Sequence, residues 1–191
     1  HAIRPVVLNA LHAVDRIDPK EQKALLAEQE RLATVAEALG CPTIQVTFSE
    51  RLAGRPWSEV RRLAAKNVAR VADIGKEHGV GFQVEPIAWS PIASLARSLE
   101  VIDEAGRDNV AMVIDFWHLY AGGETAPEEV AELHPSRIVG VHLCDGVARR
   151  EGEEWNKFVQ RGYLPGDGEM RVKEWVDAVL STGFDGVWSV E

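Results

Sequence analysis

The chain has little cysteine: two residues in 191, Cys41 and Cys144, with no CxxC pair. That excludes a disulfide framework and a cysteine-bound structural zinc, and nothing calls for an oxidising compartment. Long apolar runs are also missing, and none approaches the ~20 residues needed to span a bilayer. No charged–apolar–small signal pattern opens the chain, so a cytoplasmic protein is the expectation. Acidic residues outnumber basic ones 30 to 21, giving a net charge of −9. A nucleic-acid surface draws its affinity from a basic patch. Here Arg61-Arg62 and Arg149-Arg150 are the only adjacent basic pairs. There is no GxGxxG, HExxH, nucleophile elbow or Ser-His-Asp order, so dinucleotide binding and covalent catalysis lack a motif.

The chain is 46% hydrophobic and 27% charged and carries no low-complexity stretch, which suits one folded domain over residues 1–191. Strand and helix signals alternate. Pro5–Leu11 reads as a strand. Pro19–Leu39 reads as a helix with Asp18 as N-cap, Gly40 as stop, and an apolar stripe of Leu25, Leu26, Leu32, Val35, Ala36 and Leu39. Thr43–Phe48 is β-branched and reads as a strand, and Ser58–His78 as a helix. Val80–Glu85 is a strand, and Ser90-Pro91 starts a helix running to about Ala105. Val110–Ile114 is a strand followed by a Gly-rich turn and a short helix near Pro127–Leu133. Ile138–Leu143 is a strand, Arg171–Leu180 a helix, and Val187–Glu191 a last strand. The class is α/β with parallel strands. A (β/α)8 TIM barrel needs eight strands and typically ~250 residues. The expectation is therefore a barrel truncated to about six strands, without two opening βα units and a closing helix. An open, doubly wound six-stranded sheet is the alternative, but it would not bring four adjacent strand ends round one point.

Four of the apolar runs close on a metal-competent residue: Glu85, Asp115, His142 and Glu191. A polar residue ending a continuous apolar run marks the C-terminal end of a strand buried on both faces. Parallel sheets and barrels keep their chemistry at that end. The first three are 30 and 27 residues apart, about one βαβ repeat. The 49-residue step to Glu191 needs a long loop, which 145–167 supplies. Two glutamates, an aspartate and a histidine suit Mn²⁺, Mg²⁺, Co²⁺ or Zn²⁺. The other explanation is that buried strand ends hold carboxylates in ion pairs or helix caps.

Nearby residues extend the set. His118 lies three positions past Asp115, in a loop that can turn its ring inward. His12 ends the first strand and either lines a rim as a substrate contact or is structural or peripheral. Trp89, Phe116 and Trp117 sit beside ligands and form either an apolar wall or ordinary core. Arg161 precedes Gly-Tyr-Leu-Pro-Gly-Asp-Gly168 and can orient a substrate oxygen. The Gly-Asp-Gly stretch is a turn rather than a phosphate loop. His78 and His134 read as surface residues, and His1 as an appended one.

Val84-Glu85-Pro86, Val113-Ile-Asp115-Phe-Trp-His118, Val141-His142-Leu-Cys-Asp145, Arg161-Gly-x-x-Pro-Gly-x-Gly168 and Trp188-Ser-Val-Glu191 together resemble the xylose isomerase-like TIM-barrel superfamily. The similar branch is that of the sugar phosphate isomerases and epimerases, with the D-tagatose and D-psicose 3-epimerases and the inositol-catabolism proteins. The resemblance implies one divalent metal, usually Mn²⁺, on Glu85, Asp115, His142 and Glu191. It implies substrate oxygens on His118 and Arg161, with Glu85 and Glu191 as acid and base. A metal holding a carbonyl and the neighbouring hydroxyl would acidify the C–H between them and stabilise an enediolate. The insertion between His142 and Arg161 departs from the epimerases and reshapes the substrate pocket. The expected activity is isomerisation or epimerisation of a sugar, sugar acid or cyclitol, a small carbohydrate-like molecule. A lyase or dehydratase acting on a keto-inositol or dehydroshikimate-type acid is the alternative enzyme. A non-catalytic carbohydrate-binding barrel is the alternative binder. An apurinic-site nuclease would need a richer His/Asp set. No nucleic acid or membrane partner is expected, and self-association into a homo-oligomer is left open.

Overall fold

The computed structural model describes residues 3–191; His1 lies outside them. Six parallel strands form one sheet in chain order: β1 (Leu8–Leu11), β2 (Thr43–Thr47), β3 (Gly81–Glu85), β4 (Val110–Asp115), β5 (Ile138–Leu143) and β6 (Val187–Val190). The order never reverses, which rules out the doubly wound alternative, where the strand order turns at a switch point. Seven helices lie between the strands: α1 (Pro19–Leu39), α2 (Trp57–Glu77), α3 (Leu95–Ala105), α4 (Phe116–Gly122), α5 (Pro127–Ala131), α6 (Lys157–Gln160) and α7 (Val172–Ser181). Register pairs Thr47 with Glu85, Asp115 with His142, and His142 with Ser189, so the strands finish level with one another. None of these helices is long and apolar enough to cross a membrane.

Local chemistry fixes the element ends. Asp18 accepts hydrogen bonds from the backbone N–H groups of Lys20 (2.9 Å) and Glu21 (3.1 Å), and Pro19 opens α1 where its missing N–H costs nothing. Gly40 ends the helix in the left-handed region at φ 62°. The buried stripe of α1 differs from the expected one: it comprises Leu25, Gln29, Ala33 and Ala36, while Val35 and Leu39 are exposed. A sheet-facing stripe needs small residues where the helix approaches closely, and Ala33 and Ala36 provide them.

Three boundaries depart from expectation. The first strand pairs only over Leu8–Leu11. Helix α3 begins at Leu95 rather than after Ser90-Pro91. Ser94 is the cap, with its hydroxyl accepting from the N–H of Arg97 (3.4 Å), whereas Ser90 closes a turn by accepting from that of Ile92 (3.0 Å). The segment after β4 is helix α4 before it becomes a turn, because the Asp115 side chain caps it by accepting from the N–H of His118 (2.8 Å).

Candidate metal centre

The strand ends bring one donor atom each from Glu85 (β3), Asp115 (β4), His142 (β5) and Glu191 (following β6) to within 4.8 Å of one another. His142 Nδ1 lies 3.0 Å from Glu85 Oε1 and 3.1 Å from Asp115 Oδ2, and its Nε2 lies 3.4 Å from Glu191 Oε1. Arg161 Nη2 pairs with Asp115 Oδ2 and, at 2.8 Å, with Glu191 Oε2. Three carboxylates therefore share the positive charge of one imidazole and one guanidinium.

The electrostatics follow from that crowding. Burial pushes the Glu85 carboxyl up, partly countered by the hydrogen bond from His142. Burial would also raise Asp115, but His118, charged in the acid range where Asp115 titrates, the Arg161 guanidinium and the bond from His142 hold it well below the usual carboxylate range. Burial would lower His142, yet its bonds to Asp115 and Glu85 bring it up to about 10. Three carboxylates and one imidazole converging on one point favour a cation among them. The donor set fits a divalent ion: hard carboxylate oxygens and one borderline nitrogen, converging without cysteine.

Behind the ligands runs an amide chain that the sequence reading did not identify. Gln83 Nε2 donates to Gln45 Oε1 (2.6 Å), and Gln45 Nε2 donates to Glu85 Oε2 (2.9 Å). This chain orients the carboxylate as an outer-shell partner does. Its signal was available: Gln83 stands two residues before Glu85, and Gln45 two before Thr47, so strand alternation puts them on the ligand-bearing face.

His118 is in α4 rather than in a loop. Its Nδ1 accepts from the N–H of Ala88 (3.1 Å), which leaves the ring proton on Nε2. Burial lowers its pKa to about 4, so it is a neutral donor at pH 7. Together with Glu85, Arg161, Glu191 and His12, it lines a cavity of about 320 Å³. His12 is an exposed rim residue, with Nδ1 3.1 Å from Thr47 Oγ1. Arg161 Nε is buried without a hydrogen-bond partner among the described residues, an orphaned donor inside the site.

Of the two roles open to it, Trp117 takes the core one and does not line the cavity. Its indole is wholly buried and donates through Nε1 to the Val147 carbonyl (3.2 Å), as a core residue of α4. The aromatic wall is Trp89 with Phe48. Phe116, also fully buried, packs against Trp175 and Trp188. The expected surface histidines lie away from the centre. His78 pairs with Glu37 and Glu30 of α1, and His134 caps a 3-10 turn at Pro135–Arg137.

Asp145 organises the long loop. Its buried carboxylate accepts from the backbone N–H of Gly146 (2.7 Å), Gly166 (2.8 Å), Gly168 (3.0 Å) and Met170 (3.3 Å). The turn at Gly166–Gly168 is thereby tied to the end of β5. A Cβ on Gly168 would come within 2.2 Å of Asp145 Oδ1, so this approach requires glycine. The loop also contains α6, whose last turn bonds back through Gln160 O to Val147 N (2.8 Å). Arg161 follows immediately and reaches Asp115.

Parallel strands in chain order, with helices between them and a cluster of candidate metal ligands at their C-terminal ends, define an α/β barrel of the TIM type. The chain belongs to the xylose isomerase-like TIM barrel family, whose model matches residues 3–191. It is 25% identical over 201 residues to an inosose isomerase of Halalkalibacterium halodurans, covering 99% of this chain and 66% of that protein. It is 24% identical to a putative hydroxypyruvate isomerase of Streptomyces coelicolor, covering 89% of this chain and 59% of that one. A solved structure of an IolI protein with a bound zinc atom superposes with a TM-score of 0.89 at 22% identity, covering 98% of this chain and 67% of that chain. The chain spans about two thirds of the length of the inosose isomerases it matches.

Proposed function

We propose that this chain carries the centre of a divalent-metal-dependent isomerase or epimerase acting on a sugar, sugar acid or cyclitol. The observation that carries the reading is the convergence of Glu85, Asp115, His142 and Glu191 within 4.8 Å at successive strand ends. Those four residues would hold the ion, with Mn²⁺ as the leading candidate and Zn²⁺, Co²⁺ or Mg²⁺ as the others. When bound, a divalent cation supplies the positive charge that polarises a carbonyl and its neighbouring hydroxyl.

The protein's own groups do the rest. Glu85 and Glu191 are the carboxylates available to take a proton from carbon and return it. Glu85 is nearly enclosed, and the Gln45 amide holds its Oε2. Glu191 is held by the Arg161 guanidinium, 2.8 Å from its Oε2. Neutral His118 donates Nε2–H to a substrate oxygen. Arg161 turns its unpartnered Nε–H to a second oxygen while its Nη2 keeps Asp115 and Glu191 in place. A three-carbon 3-hydroxy-2-oxo acid and a keto-polyol ring both present this carbonyl–hydroxyl pair, in keeping with the relatives named as hydroxypyruvate and inosose isomerases.

The test is metal binding followed by solvent proton exchange. The protein is reconstituted with Mn²⁺, Zn²⁺, Co²⁺ or Mg²⁺ and assayed for bound metal. It is then incubated in D2O with inosose or hydroxypyruvate while NMR follows deuterium entering the carbon beside the carbonyl. Retained metal and deuterium uptake that Glu191→Gln removes are the expected results. A protein that retains none of the four metals would refute the reading.

A further inference from the structure

A second cavity, of about 350 Å³, adjoins the metal-ligand cavity and is lined by Glu50, Trp89, Trp155, Asn156, Lys157 and Phe158. The two share Trp89 and Lys157, so they are neighbouring compartments of one cleft. Trp89 stands edge-on to the His118 imidazole at 5.2 Å and packs against Trp155 with ring centroids 5.9 Å apart. Trp155 is held from behind by Trp117 (6.1 Å, nearly perpendicular) and by the Arg149 guanidinium, 5.1 Å over its ring. An aromatic surface therefore runs outward from the reaction centre into the second compartment.

Several polar groups there have no partner among the described residues. Trp57 and Trp117 both donate their indole N–H, to Glu100 and to the Val147 carbonyl. Those of Trp89 and Trp155 have no acceptor among the described residues. Lys157 pairs with no carboxylate among them, and its ammonium lies 5.5 Å over the Phe158 ring. Asn156 spends its carbonyl oxygen on capping α6, accepting from the Phe158 N–H (3.1 Å), and leaves its NH2 free for a ligand. The Glu50 carboxylate makes no ion pair among the described residues. Phe158 is 84% exposed, an apolar ring held in water beside this compartment. Flat apolar walls with donors and one carboxylate around them match the face and rim of a sugar ring, whose C–H groups lie on its faces and whose hydroxyls point outward.

We propose that this compartment is a subsite for a second sugar residue, so that the substrate is a disaccharide with its reducing, reacting unit at Glu85 and Glu191. Trp155 and Phe158 give the second ring its stacking surface, and Asn156, Lys157 and Glu50 bond its hydroxyls. The inference rests on the reading of the metal centre given above and deepens it by naming the substrate class. All of the new contacts except Glu50 and Trp89 come from the segment between His142 and Arg161.

Binding tests this without requiring turnover. Glucose, maltose, cellobiose and 4-nitrophenyl β-D-glucoside are titrated against the whole protein by calorimetry and by saturation-transfer NMR. At least one disaccharide should bind about tenfold more tightly than glucose, the effect of one aromatic stacking contact. Trp155→Ala and the surface change Phe158→Ala should each erase that preference, while Glu191→Gln keeps it. Disaccharides that bind no better than glucose would overturn the proposal, as would a preference that survives both aromatic changes. A nitrophenyl glucoside bound more tightly than either disaccharide would also overturn it, by assigning the compartment to an aromatic aglycone. A protein without metal or turnover that still prefers disaccharides would refute the isomerase reading and leave the subsite standing.

Discussion

Replacing Asp145 by Asn should loosen the loop that carries Arg161 while leaving the metal ligands and the barrel core in place. Each Asp145 oxygen accepts two backbone N–H groups: Oδ1 those of Gly146 and Met170, and Oδ2 those of Gly166 and Gly168. Asparagine is nearly isosteric but has one acceptor oxygen, so two of the four amides would face an NH2 group. A hydrogen bond to a charged acceptor contributes about 1.5–3 kcal/mol, so two lost bonds set an upper bound of about 3–6 kcal/mol. Gly166 is exposed and its amide can turn to water, so about 2–3 kcal/mol of local destabilisation is the expected figure. That corresponds to roughly 30- to 150-fold faster amide exchange if the loop opens as a local unit. Native-state hydrogen exchange resolved over residues 146–170 measures it directly. Protection in strands β2–β5 should stay as it was, because Asp145 touches none of their ladders. Unchanged protection at Gly166 and Gly168 in Asp145→Asn would refute the claim that this carboxylate holds the loop.

Glu85→Gln and Glu191→Gln should each abolish turnover with the far-UV circular dichroism unchanged, since an amide cannot act as a base at neutral pH; near-native turnover in either would remove that residue from the acid/base pair. Arg161→Ala should lower kcat/KM about 10- to 150-fold, the loss expected for one charge-assisted hydrogen bond, and unchanged kcat/KM in the metal-loaded variant would remove Arg161 from substrate binding. His118→Ala should act in the same direction, read as the same kcat/KM ratio. The imidazole of His78 is raised above its ordinary 6.5 by its hydrogen bonds to Glu37 and then Glu30. Its stabilisation is therefore complete below the unfolded-state value and fades as pH rises through the folded one, so His78→Gln should lower Tm at pH 6 and leave it nearly unchanged at pH 9.

Most of the fold was legible because the chain marks its elements with local chemistry. Asp18, Pro19 and Gly40 bracket α1 to the residue, and Ile138–Leu143 is a strand with the bounds its apolar run gives. The failures occur where tertiary contacts decide. In α1, Gln29 is completely buried and its side-chain atoms find no partner among the described residues, a position that no hydrophobicity count would place inside. Phe116–Gly122 is rich in aromatics, with modest helix propensity, and becomes α4 because Asp115 caps it and the core buries Phe116, Trp117, His118 and Leu119. Ser90-Pro91 carries a helix-start signal as good as that of Ser94, and burial of Ile92 and Ala93 selects the later one.

The site divides along the same line. Its ligands were readable because each stands at the end of an apolar run, a local feature that the parallel sheet turns into proximity. The residues that orient them were readable in part. Gln45 and Gln83 follow from strand alternation, but Asp145 gathers amides from positions up to 25 residues away and gives no local sign of doing so. Trp89 and Trp117 show the limit most plainly, since both sit beside ligands in the sequence. On α4, the third residue after Asp115 turns back to the cavity while the second points into the core, so His118 lines the site and Trp117 packs behind it. Trp89 lies on the loop after β3, with no helix to turn it inward, and so reaches the cavity that Trp117 does not. The same loop freedom lets Trp89 serve two compartments at once. For that reason the distinction between wall and core, invisible in the residue types, decides how large a substrate the cleft accepts.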